Sequence, residues 1–113
     1  FVTDSELAVL YRYSVAYLFP SLYEGFGLPP LEAMNYGLPV LSSDRGSLPE
    51  VLGKAALYID AENEDQCIVQ LQRIATDTAL RSTLKKEGYR QIRLFSWERM
   101  ARQTQSMYIR SIQ

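Results

Sequence analysis

Two glutamates, Glu24 and Glu32, stand eight residues apart, with the turn Gly25-Phe26-Gly27 between them. An ionised carboxylate only accepts hydrogen bonds, and its two oxygens can receive both hydroxyls of a vicinal diol such as a ribose. Glycine at 25 and 27 lets the backbone turn tightly and approach a ligand. Free N–H groups where the following helix begins favour an anion such as a diphosphate, with no cationic side chain required. Glu32 is expected in the first turn of that helix, where the helix dipole favours its charged form by about 0.3–1 kcal/mol. Glu24 lies in the loop and off that helical face. It can curl back towards a sugar beside the phosphate, accept from its hydroxyls and offset positive charge developing at an anomeric carbon. Taken singly, the glycines read as an ordinary turn, Glu24 as a solvated loop charge and Glu32 as a helix-start carboxylate. Taken together, the two carboxylates would grip opposite ends of one ligand.

The surrounding pattern is α/β. Thr3 and Glu6 have capping-box spacing, and Leu7, Leu10 and Tyr11 recur at helical period, which predicts a helix over 5–13. Residues 15–19 form a short apolar run ended by Pro20-Ser21, suited to a strand buried on both faces of a parallel sheet. After the glycine turn, Pro29-Pro30 open a helix that Gly37 and Pro39 close. The unit repeats with a strand over 39–43, a turn at 44–46, and Ser47 with Glu50 as a second capping box ahead of a short helix ended by Gly53. A third strand spans 55–59. Helices then follow, with Ile68, Leu71, Ile74 and Ala75 on one face, Leu80, Leu84 and Tyr89 on the next, and Trp97, Met100, Ala101, Thr104 and Tyr108 on a last one beginning at Ser96. The sum is a partial Rossmann-like three-layer domain with a short parallel sheet and a helical C-terminal tail. In such a sheet, ligands bind outside the carboxyl ends of the strands, which is where the 20–28 loop falls.

Composition narrows the chemistry. The 113 residues carry 12 basic and 13 acidic side chains, a balance without the electrostatic footprint of a nucleic-acid binder. There is no histidine, which removes Ser/His and Cys/His nucleophilic catalysis and imidazole metal sites. The single cysteine, Cys67, can form no internal disulfide and points to a reducing compartment, hence a cytoplasmic location. Asp60, Glu62, Glu64 and Asp65 read as a solvated helix start rather than a metal site. Trp97 and Tyr108 read as core rather than sugar-stacking residues.

Glu24-Gly-Phe-Gly-Leu-Pro-Pro-Leu-Glu32 resembles the paired-glutamate motif of glycosyltransferase family 4, the group 1 enzymes of GT-B architecture. Phe19-Pro-Ser21, Glu32-Ala-Met34, Gly37-Leu-Pro-Val40, Ser47-Leu-Pro-Glu-Val-Leu-Gly53 and Phe95-Ser-Trp97 read as that family does at the corresponding places. The resemblance implies the second half of a GT-B C-terminal domain, incomplete at its N-terminus. It implies a retaining transferase moving a hexosyl group, mannosyl or glucosyl, from a nucleotide-diphosphate sugar to a glycan or lipid acceptor. On that resemblance Glu24 would be the carboxylate nearest the reacting face. The amides of Gly25, Phe26, Gly27 and Leu28 would meet sugar and phosphate, Glu32 would hold the ribose, and Val2 and Thr3 would lie against the nucleobase. No cofactor or essential metal is implied.

A chain that opens at Phe1 and lacks the family's acceptor domain is expected to be a fragment, inactive by itself, with any peripheral membrane association belonging to that missing domain. The rival expectation is a non-catalytic half-domain acting as an interaction or assembly module. Either way an exposed sheet edge is expected, through which the chain could dimerise.

Overall fold

The structure, a computed structural model, describes residues 1–112. Helix α1 (Asp4–Tyr13) starts as its capping box requires: Thr3 Oγ1 accepts from the Glu6 amide at 3.4 Å, and Glu6 Oε2 accepts from the Thr3 amide at 2.7 Å. The chain then alternates through β1 (Tyr17–Phe19), α2 (Leu28–Asn35), β2 (Val40–Ser43), α3 (Leu48–Leu52), a 3₁₀ turn at 53–55 and β3 (Ala56–Ile59). Helices α4 (Glu64–Thr76), α5 (Thr78–Ile92) and α6 (Trp97–Ser111) follow.

The three strands are parallel in the order β1-β2-β3, with Tyr17 beside Val40 and Val40 beside Ala56. All four residues of β2 are buried, and its alternating side chains feed two cores, Val40 into one and Leu41 into the other. The first core joins Tyr11, Met34, Leu48 and Leu52, from α1, α2 and α3. The second joins Ile59, Ile74 and Leu84, from β3, α4 and α5. Helices therefore cover both faces of the sheet, the three-layer α/β arrangement that the sequence pattern implies.

Four local expectations are corrected. Strand β1 is not buried on both faces; it is the sheet edge, and Leu18 is half exposed. Ser47 caps no amide: it takes a helical conformation, and its hydroxyl is engaged elsewhere. On α4 the buried side is centred on Ile74 with Cys67 beside the core, while Ile68, Leu71 and Ala75 face outward. The cysteine serves as a small hydrophobe, so the inward stripe is rotated from the one the aliphatic residues suggest. Trp97 and Tyr108 are not core residues, because α6 buries none of its side chains.

Candidate functional site

The glycine turn leaves β1 at its carboxyl end and enters α2, on the edge of the sheet where open α/β folds bind ligands. Gly27 is the residue before α2 and has φ +97°, a conformation that L side chains rarely adopt. A Cβ there would stand 2.7 Å from Leu48 Cδ2, so glycine is required both by the turn and by the packing beneath it. Gly25 differs: its φ is not positive, and a Cβ would meet nothing within 4 Å. Among the described residues, the amides of Gly25, Phe26, Gly27 and Leu28 donate to no protein acceptor. Pro29 and Pro30 have no N–H to offer, so the donors around the α2 start are these loop amides rather than a full helical turn of them.

Helix α2 begins at Leu28, which puts Glu32 in its second turn. The expected first-turn stabilisation by the helix dipole is therefore lost, since that effect fades beyond the first turn. What holds Glu32 is Tyr11, whose hydroxyl donates to Glu32 Oε2 at 3.4 Å. Burial, then the charge of Glu32, pushes the Tyr11 phenol up to about 12. Tyr17 is also raised, chiefly by burial; a hydrogen bond with Tyr11 opposes this, while Glu32 and then Glu24 reinforce it.

Glu24 is half-buried, and its Oε1 accepts from Ser21 Oγ at 3.0 Å. Its backbone is tied to the second β/α unit: Ser47 Oγ donates to the Glu24 carbonyl at 3.0 Å, and buried Ser43 donates to the Ser21 carbonyl. Phe26 meets Phe95 edge to face, with centroids 5.6 Å apart, which brings the turn against the segment between α5 and α6. An open groove of about 1190 Å³ runs there, walled by Phe26, Leu28, Glu32, Phe95 and Trp97 among others. Glu24 is not among its walls. Val2 and Thr3 are exposed, and Thr3 is occupied in capping α1.

Sequence reasoning gave Arg45 and Tyr17 no role, and read Tyr11 only as part of a helical face and Asp60 and Glu62 only as a solvated helix start. Arg45 reaches from the β2–α3 loop to Asp60 at 2.9 Å and Glu62 at 3.0 Å. Asp60 is held below the usual carboxylate range by the Glu62 amide and then by Arg45. Asp60 and Glu62 thus pair with Arg45, while Glu64 and Asp65 stand exposed in the first turn of α4, the solvated helix start that the sequence implies. An arginine two residues after the second strand, facing acids one and three residues after the third, was the available signal. No group of three metal-ligating side chains is found among the described residues.

A parallel sheet with helices on both faces, and a glycine turn leading from its first strand to a carboxylate-bearing helix, places this chain among the Rossmann-like α/β proteins. Residues 1–91 match the glycosyl transferases group 1, and the chain belongs to that family. It is 40% identical over 108 residues to O-antigen chain mannosyltransferase B of Escherichia coli, covering 96% of this chain and 28% of that protein. It is 36% identical over 115 residues to the MMP alpha-(1->4)-mannosyltransferase of Mycolicibacterium hassiacum, covering 98% and 28%. Sucrose-phosphate synthase from Thermosynechococcus elongatus superposes with a TM-score of 0.84 at 32% identity, over 98% of this chain and 29% of that one. The chain thus spans less than a third of each of these relatives. No helix among the described residues is long and apolar enough to cross a membrane.

Proposed function

We propose that this chain is the donor-binding part of a retaining hexosyltransferase that uses a nucleotide-diphosphate sugar. The observation that carries the reading is the glycine turn at the carboxyl end of β1, with four uncommitted amides between Glu24 and Glu32. In this reading Glu32 accepts from the ribose hydroxyls, and Tyr11 holds its carboxylate in place. The amides of Gly25 to Leu28 meet the diphosphate and the first atoms of the sugar. Glu24, steadied by Ser21, faces the hexose and offsets charge that develops at the anomeric carbon as the bond to phosphate lengthens. The leaving phosphate takes the acceptor's proton, so no histidine and no metal is called for.

Two of the curated relatives are named as mannosyltransferases, which favours a mannosyl donor for the intact protein. The rival reading, a non-catalytic assembly module, draws on the exposed β1 edge. A thermal-shift panel of nucleotide sugars on the full-length protein separates them. The donor reading expects a raised melting temperature with a GDP- or UDP-hexose, and turnover with a glycan or lipid acceptor. No shift with any of them would refute it. The 113-residue chain alone is expected to show no turnover, because it spans so little of its relatives.

A further inference from the structure

The acidic residues after β3 and the serine before α3 have no part in the donor contacts just described, yet the serine bonds the peptide that joins Glu24 to Gly25, and the acids pair with an arginine two residues before that serine. Asp60 and Glu62 grip Arg45, which fixes the β2–α3 loop. Gly46, with φ +57°, follows directly; a Cβ there would come within 3.3 Å of the Glu24 carbonyl, so the loop lies against that peptide. Ser47 Oγ then donates to the Glu24 carbonyl at 3.0 Å. A trans peptide is planar, with its C=O and N–H pointing opposite ways. Holding the Glu24 oxygen against the protein therefore turns the Gly25 N–H the other way, and that amide donates to no acceptor among the described residues.

We infer that Ser47, on the loop where Arg45 pairs with Asp60 and Glu62, is a positioning residue that aims the Gly25 amide at the donor's sugar, leaving the diphosphate to the amides that follow, and sets the approach of Glu24 to that sugar. The inference rests on the donor-binding reading above. It assigns a use to a hydroxyl that caps no helix and to the ion cluster around Arg45 at the same edge of the sheet. Because Glu32 holds the nucleoside end, loss of the clamp disturbs the reacting end and leaves the nucleoside end in place.

The test is made in the full-length protein, with GDP-mannose and UDP-glucose as donors and GDP and UDP as binding probes. Ser47→Ala is expected to lower kcat about tenfold, the scale of one hydrogen bond, while nucleoside diphosphate affinity stays within about twofold. Ser47→Thr, which keeps the hydroxyl, is expected to restore most of the rate. Arg45→Gln is expected to lower kcat in the same direction with the same unchanged diphosphate affinity. Full activity in Ser47→Ala overturns the inference, as does a loss that threonine does not repair. Parallel loss of rate, diphosphate affinity and melting temperature also overturns it, since that marks a role in folding alone. If the unmodified protein binds neither diphosphate, the donor reading falls and this inference with it.

Discussion

Gly27 and Gly25 lie two residues apart in one turn, and the structure predicts opposite consequences for the same added methyl group. At Gly27 the backbone has φ +97°, which costs an alanine about 1–2 kcal/mol relative to glycine. The new Cβ would also lie 2.7 Å from Leu48 Cδ2, and Leu48 is fully buried, so it cannot yield towards solvent. Overpacking of this kind adds about 1–3 kcal/mol, which makes Gly27→Ala destabilising by about 2–5 kcal/mol. At Gly25 neither cost exists, and Gly25→Ala is expected within about 0.5 kcal/mol of the parent. Its effect falls on the ligand, because the methyl occupies the open side that the donor would approach. Urea denaturation of both variants, with donor titration by calorimetry on Gly25→Ala, makes the comparison. A Gly27→Ala protein as stable as the parent would refute the packing argument. A Gly25→Ala protein with undiminished donor affinity would refute the claim that the backbone there meets the ligand.

Stability should fall at alkaline pH. The Tyr11 and Tyr58 phenols, both pushed up to about 12 with burial the leading cause, keep their protons in the folded chain after the unfolded chain has begun to lose them near 10. Their contribution is complete below pH 10 and is lost as pH rises through about 12, so Tyr11→Phe should flatten the decline measured by denaturation at stepped pH. An unaltered slope would show that Tyr11 is not protected by the fold. At the acid end Asp60, lowered from 3.8, stabilises the fold above that value and ceases to do so as pH falls through its depressed folded-state pKa. Asp60→Asn should remove that part of the acid sensitivity; identical acid unfolding curves would contradict it.

Local rules were enough for those elements whose cues are all local. The Thr3–Glu6 box set the start of α1, Asn63 and Ser96 each cap the helices that follow them, and the two prolines at the start of α2 marked it within a residue or two. Where a side chain's partner lies far along the chain, local reading failed. Ser47 has the spacing of a cap but bonds across 23 residues to Glu24, and the pairing of Arg45 with the solvated acids Asp60 and Glu62 spans 15 and 17 residues. The turn between Glu24 and Glu32 was legible because glycine and proline fix it. The partners of Glu32 and of the Glu24 carbonyl, Tyr11 on α1 and Ser47 before α3, arrive from other elements and carry no signal of this in their spacing. The apolar face of α6 has helical period in the sequence, yet nothing within the described residues covers it, so period alone could not say whether it was core.

The division of labour between the two glutamates is tested most directly by calorimetry on the full-length protein, titrating GDP and GDP-mannose, or the uridine pair, into Glu32→Gln and Glu24→Gln. If Glu32 holds the ribose, its variant weakens the diphosphate and the nucleotide sugar alike, by about 1.5–3 kcal/mol, the scale of hydrogen bonds to a charged group. If Glu24 faces the hexose, its variant binds the diphosphate normally and loses affinity or turnover only when the sugar is present. Normal binding of both ligands by Glu32→Gln, or diphosphate loss in Glu24→Gln equal to its sugar-nucleotide loss, would contradict the account.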